Sequence, residues 1–377
     1  MITGILNAGF GHAVRFIATA ENIRKYGHVP VACLVKGSMR QFMQANISQY
    51  NGSVYNLHDC KAYINRKTGK IKKNLKIKDQ KIVKKLGTTS VLLNDFITNI
   101  NKMKKLFPGS LITCCLYHGD INITGHDSAR IAAFKNLVRK TASHHDIFFH
   151  INLKQPQYSP SIPCTYIPIP IVARQVRKDK AAVNRLLGLK PDDPFILIHA
   201  GAAVSENIYA QLNAFYQAVN ELKAPYPIVI SSGLENNPFP FRPGIIKAPL
   251  FYNGIDLVNA SELVVSKPGM GILQDCIVTK KPLLFLPGDF AERDLKIRLL
   301  DDLLSGRLPV VEKINAHHLK GCIESCISMG SLYREGYSQV PVNGADVLAR
   351  AVHLLTGAAK NTFQDLIPAI KEMNPFC

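Results

Sequence analysis

The sequence contains no tryptophan, no CxxC pair, no HExxH run and no Asp-x-Asp triplet. It also has no stretch approaching the roughly 18–20 uninterrupted apolar residues of a spanning helix, and its N-terminus lacks a basic stretch leading into an apolar signal core. Each absence removes a class of function. Without export or membrane segments, a cytoplasmic location is expected. The nine cysteines are odd in number and scattered, with Cys114 and Cys115 adjacent and Cys322 and Cys326 in a CxxxC arrangement. A disulfide framework or thiolate zinc site is therefore not expected, and the thiols read as reduced core filler. The histidine pairs His144/His145 and His317/His318 carry no metal-ligand spacing, so no metal is expected. The chain lacks tryptophan, and its lysine-rich run contains no aromatic ring to stack on bases. A nucleic-acid partner is accordingly not expected.

Acidic residues are scarce in one half only. Residues 1–150 hold 23 Lys and Arg against 7 Asp and Glu, whereas residues 151–377 hold 23 against 20. Ten of the cations fall in "RKTGKIKKNLKIKDQKIVKK", residues 66–85, with Asp79 as its single acid. Such a run is either a solvated insertion or a landing surface for an anion, such as lipid headgroups or a phosphorylated acceptor. The second reading would bring the protein to the inner face of a membrane.

What is present is a soluble-protein composition, 47% hydrophobic and 19% charged over 377 residues, a length that favours two domains. "ITGILNA" reads as a strand, "RFIATAENIRKYG" as a helix stopped by Gly27, and "HVPVACLV" as the next strand. This βαβ unit implies a parallel α/β sheet. "GSLITCCLYHGD" and "HDIFFHINL" read as later strands of the same sheet, with the lysine run as an insertion, so the first domain spans residues 1–165. The proline-punctuated "SIPCTYIPIPIVARQ" reads as a linker. A second α/β series follows over 166–345: helix "AAVNRLLGL", strand "PFILIHAGA", helix "NIYAQLNAFYQAVNEL", strand "YPIVISSGL", the strand–glycine–helix run "ELVVSKPGMGILQDCIV", and strand "KPLLFLPGDF". The tail, 346–377, reads as helices returning to the first domain.

Chemistry in open α/β sheets lies at the carboxyl ends of strands. In the second series those ends are Gly201, Ser231 to Gly233 with Ser232 between, the Lys267-Pro-Gly269-Met270-Gly271 loop, and Pro287 to Asp289. Gly269 and Gly271 just before a helix let the backbone approach a diphosphate, which the helix N-terminus favours. In the first series the loop holds Gly9, Phe10, Gly11, His12 and Arg15. It is not a dinucleotide fingerprint, because Val14 breaks the GxGxxG pattern, and it is not a P-loop. His12 is a side chain able to accept a proton near neutral pH, and Arg15 is a fixed positive charge on the following helical turn. Together they suit an acceptor hydroxyl or a phosphate.

"GFGHAVR", its helix and "YGHVPV" resemble the first βα unit of the GT-B nucleotide-sugar glycosyltransferases, including the MurG-like and UDP-glucuronosyltransferase-like groups. They are equally similar to the UDP-sugar hydrolase of pseudaminic acid synthesis. "LVNASELVVSKPGMGILQDCIVTKKPLLFLP" is similar to the donor-binding signature of that superfamily. The resemblance implies two Rossmann-like domains facing across a cleft, a UDP- or dTDP-sugar as co-substrate, and no cofactor. It makes His12 the base and the Gly269–Gly271 loop the diphosphate cradle. Lys267 and Arg15 become phosphate partners. Asp275 stands where a glutamate commonly holds the ribose hydroxyls. Asp289, Glu292 and Arg293 fall near the site for donor-sugar hydroxyls, with arginine where glutamine is usual. Metal-independent glycosyl transfer to an acceptor held by the basic domain is the leading expectation. Hydrolysis on the same frame, and a non-catalytic scaffold for an anionic partner, remain open alternatives.

Overall fold

A computed structural model describes residues 1–6, 10–37, 39–96, 100–119, 128–157, 160–200, 211–231, 239–288 and 291–377; for Phe10, Gln49, Tyr50, Ser128, Arg130, Ile131, Ala291 and Glu292 it describes the backbone alone. The chain divides into two units. Unit 1 comprises Met1–Val172 together with Pro341–Cys377, and unit 2 comprises Ala173–Val340.

Unit 1 is built on a seven-stranded sheet in the order β3-β2-β1-β4-β5-β6-β7. The strands are β1 (Ile2–Ile5), β2 (Val31–Val35), β3 (Gly52–Asn56), β4 (Val91–Asp95), β5 (Ile112–Tyr117), β6 (Ile147–Ile151) and β7 (Thr165–Ile169). Every neighbouring pair is parallel. Strands β1, β2, β4, β5 and β6 are buried along their whole length, which is why their sequences are mostly apolar and do not alternate. The helix Phe10–Ile23 lies so close to β1 that a Cβ on Gly4 would overlap the Phe16 ring. Glycine is needed there for space.

Three readings of the sequence are corrected. The "linker" contains β7, hydrogen-bonded to β6 with His150 opposite Pro168. Its prolines are tolerated because β7 is an edge strand, where a missing N–H costs no ladder bond. The lysine run is not wholly an insertion: Ile77–Leu86 forms a regular helix in the β3-to-β4 connection, with Ile82, Val83 and Leu86 against the core. Gly11 and His12 lie within the first helix and not in the loop before it.

The tail belongs to unit 1. Its helix Gly344–Thr356 packs along Phe10–Ile23, burying Val347, Leu348, Ala351, Val352 and Leu355. Gly344 donates its N–H to Ile171 O at 3.1 Å. A Cβ there would strike the Pro170 carbonyl.

Unit 2 carries a five-stranded parallel sheet in the order β10-β9-β8-β11-β12. Its strands are β8 (Ile196–His199), β9 (Ile228–Ile230), β10 (Ile246–Lys247), β11 (Leu263–Ser266) and β12 (Leu283–Phe285). The helix Lys180–Leu187 is capped by Asp179, which accepts from Ala182 N, and ends at Gly188 with φ 74°, the left-handed C-cap. No described helix of either unit is long and apolar enough to cross a membrane.

Candidate functional site

Both sheets reverse their strand order once, unit 1 between β1 and β4 and unit 2 between β8 and β11. Connections leaving two such strands diverge to opposite faces, opening a crevice at the carboxyl ends. The candidate residues gather at these two places.

In unit 1, Asp95 is the last residue of β4 and is 2% exposed. Two residues of the helix after β1 converge on it. Arg15 donates to Asp95 Oδ2 from Nη2 at 2.6 Å and from Nε at 3.2 Å. His12 Nδ1 lies 2.8 Å from Asp95 Oδ1, within contact although off the alignment of a full hydrogen bond. The His118 ring, just beyond β5, stands edge-on to His12 at 6.2 Å between centroids. Burial alone would raise the Asp95 carboxyl, but Arg15 chiefly, with His12 and His118, outweighs it and holds the group well below the ordinary carboxylate range. Asp95 is therefore a buried, charged carboxylate. The His12 side chain is 22% exposed while its Nδ1 is buried, so the accessible side of the ring carries Nε2.

Two further histidines of unit 1 are structural. His145 spans Thr141 O and Asn94 Nδ2, and His150 spans the Tyr166 hydroxyl and Gly119 O. Burial pushes each down to about 4.

In unit 2 the carboxyl ends of β8, β9 and β11 are tied together. Ser266 Oγ donates to His199 O at 2.6 Å, and His199 Nδ1 lies 2.9 Å from Ser231 Oγ. Burial, with Lys267 and Arg174 adding to it, pushes His199 down to about 4. Gly269 is the N-cap of the helix Met270–Thr279 and offers no side-chain cap. A Cβ on Gly271 would meet nothing within 4 Å, so open space lies over this first turn, whose N–H groups the helix ladder cannot satisfy. Deeper in the same helix, Asp275 Oδ2 accepts from Arg174 Nη2 at 3.2 Å. Burial raises the Asp275 carboxyl, and Arg174 reverses that only in part. Arg174 Nη1 donates to Tyr252 O at 3.3 Å, and its buried Nε has no partner among the described residues.

Of the residues singled out from the sequence, Gly11, His12 and Arg15 share one helix, and Lys267, Gly269, Met270, Gly271 and Asp275 share one strand–helix turn. Arg293 is buried on the first turn of Ala291–Leu303. Gly9, Gly201, Ser232, Gly233 and Asp289 lie outside the described residues, and Phe10 and Glu292 are described in backbone only. Sequence reasoning missed Asp95, His118, Arg174 and His199. Of these, His199 had a readable signal, a polar residue closing an apolar strand that the sequence shows, whereas Asp95 closes a strand that it does not. Among the described residues no group of three His, Cys, Asp or Glu could hold a metal ion.

No protein-family model matches the sequence, and no curated protein matches it. Solved structures do. UGT89C1 of Arabidopsis thaliana, complexed with UDP, is similar over 95% of this chain and 100% of its own, with a TM-score of 0.63 at 12% identity. A UDP-glucosyltransferase from Polygonum tinctorium matches over 95% and 98%, with a TM-score of 0.61 at 12% identity. The spinosyn forosaminyltransferase SpnP matches over 94% and 98%, with a TM-score of 0.56 at 13% identity. At such identities the likeness establishes the fold. It is GT-B, with two Rossmann-like domains.

Proposed function

We propose that the protein transfers a sugar from a UDP- or dTDP-sugar to a hydroxyl-bearing acceptor, with His12 as general base. The observation that carries this reading is the approach of His12 Nδ1 to the buried, charged Asp95 at the switch point of unit 1. A hydroxyl attacking an anomeric carbon must give up its proton as the bond forms. Asp95 favours the ring with its proton on Nδ1, which leaves the Nε2 lone pair on the accessible side to take that proton. The imidazolium so formed is stabilised by the same carboxylate. Arg15 keeps Asp95 ionised and fixed.

The donor half of the reading rests on unit 2. The first turn of Met270–Thr279 and Lys267 suit a diphosphate, whose charge amide donors and a cation can stabilise as the sugar departs. Arg174 Nε and Asp275 are the polar groups proposed for the ribose, while Asp289, Glu292 and Arg293 are proposed for the sugar. UDP is bound in the Arabidopsis thaliana neighbour, which supports a uridine donor here. The acceptor is assigned to unit 1, whose excess of cations suits an anionic molecule.

The test is thermal stabilisation by UDP, dTDP, GDP and ADP, followed by nucleotide release from the matching sugars. Stabilisation by one base, lost in Gly271→Trp, is the expected result. His12→Gln should keep that stabilisation and lose turnover by about 100-fold or more. If no nucleotide stabilises the folded wild-type protein, the reading fails; free sugar as sole product with every acceptor would assign hydrolysis instead.

A further inference from the structure

Unit 1 has a second concavity, of about 690 Å³, that the His12–Asp95 cluster does not use. Three elements form it. The helix Leu57–Ala62 contributes His58, Lys61 and Ala62. The hairpin that follows contributes Arg66 and Lys72, and the 3-10 helix Ile100–Leu106 contributes Lys102 and Met103. The hairpin is a defined structure: Ile64 bridges Ile71, Lys72 N donates to Tyr63 O at 2.8 Å, and Gly69 turns the chain with φ 66°. Ile64 and Met103, both buried in the core, form its apolar floor.

The rim is of one sign. Lys61, Arg66, Lys72 and Lys102 surround the floor, and no carboxylate lines the pocket. None of the four makes an ion pair among the described residues. Of the nearby acids, Asp79 accepts from the Tyr63 hydroxyl, and neither it nor Asp59 is among the residues that line the pocket. Four like charges around one hollow repel each other until an anion of more than one charge sits among them. A phosphate monoester, carrying about −1.5 to −2 at neutral pH, meets that need better than a carboxylate. The volume lies in the range of small-molecule sites, roughly 300–1,000 Å³, and leaves room for more than the headgroup. We propose that this pocket binds a phosphate monoester attached to an apolar body, the phosphate among the four cations and the body on Ile64 and Met103. The proposal is independent of the transfer reading, because binding alone tests it.

The experiment is calorimetric titration of the full chain with dodecyl phosphate below its micelle-forming concentration, against inorganic phosphate, dodecanol and phosphatidylglycerol vesicles. Expected is saturable binding of one dodecyl phosphate per chain, about tenfold or more tighter than inorganic phosphate or dodecanol. Replacing Lys61, Arg66, Lys72 and Lys102 together by Ala should weaken it by about tenfold or more, while the charge-matched replacement of Lys73, Lys78, Lys81 and Lys84 leaves it within about twofold. Ala62→Trp fills the hollow without changing charge and should abolish binding even if the fourfold variant fails to fold. Equal loss in the charge-matched variant, equal affinity for inorganic phosphate, or binding to vesicles alone would each overturn the proposal.

Discussion

Asp95 is the residue on which the chemistry proposed for unit 1 turns, and its contribution to stability can be measured apart from that role. Replacing it with Ala leaves the Arg15 guanidinium buried without its counter-charge, a loss of about 3–5 kcal/mol by urea unfolding. Its carboxyl is depressed in the folded state, so its stabilisation is complete above the unfolded value near pH 4 and disappears as pH falls through the folded value. The buried histidines act at milder acidity. His145, His150 and His199 are held at about 4, so the unfolded chain takes up protons that the folded rings refuse. Stability present above about pH 6.5 therefore falls as pH drops toward 4. The urea midpoint should decrease from about pH 7 to about pH 5, and a flat profile over that interval would contradict the assignment of these rings as neutral.

Among the elements, β1 and the helix that carries His12 pack so closely that Gly4 has no room for a side chain. Gly4→Ala should cost about 1–3 kcal/mol, because Phe16 has to leave its place for a methyl to enter. Thermal unfolding checks this, and His12 geometry should suffer with it. How far these elements could be read from the residues depended on how each sequence solved its packing. The first βα unit was legible because Val31–Val35 is an unbroken apolar run, Ile2 to Leu6 is interrupted only by the small Thr3 and Gly4, and Gly27 marks the end of the helix between them. Strand β4 was not, since "VLLND" is short and ends in polar residues, and its burial comes from helices elsewhere in the chain; Asp95 was missed with it. The Ile77–Leu86 helix hides behind its lysines: only Ile82, Val83 and Leu86 make its inner face. Prolines concealed β7, whose edge position depends on the whole sheet order and so is invisible locally. The Gly269–Gly271 turn was legible because an apolar strand and helix flank it. Arg174, the partner of Asp275 in the helix that follows, lies about a hundred positions earlier in sequence, where no local pattern points to it.

At the scale of the molecule, the two units differ in continuity. Unit 2 is one uninterrupted segment, Ala173–Val340, whereas unit 1 needs Pro341–Cys377 to cover the outer face of its first helix. A fragment of residues 173–340 should unfold cooperatively by itself, observed as a single sigmoidal urea transition. Residues 1–172 alone should not, and joining 341–377 to them should restore the transition. A fragment 1–172 as stable as the joined one would refute the structural role given to the tail.

This discontinuity has a consequence for biosynthesis. The segment begun first is finished last: when Val172 is made, the face of Phe10–Ile23 that will meet Val347, Leu348 and Leu355 has no cover. At about 5–20 residues per second the ribosome takes roughly 10–40 s to supply it. Unit 2 is thus the first to be completed, and throughout that interval the nascent N-terminal half presents an apolar strip to chaperones and to neighbouring chains.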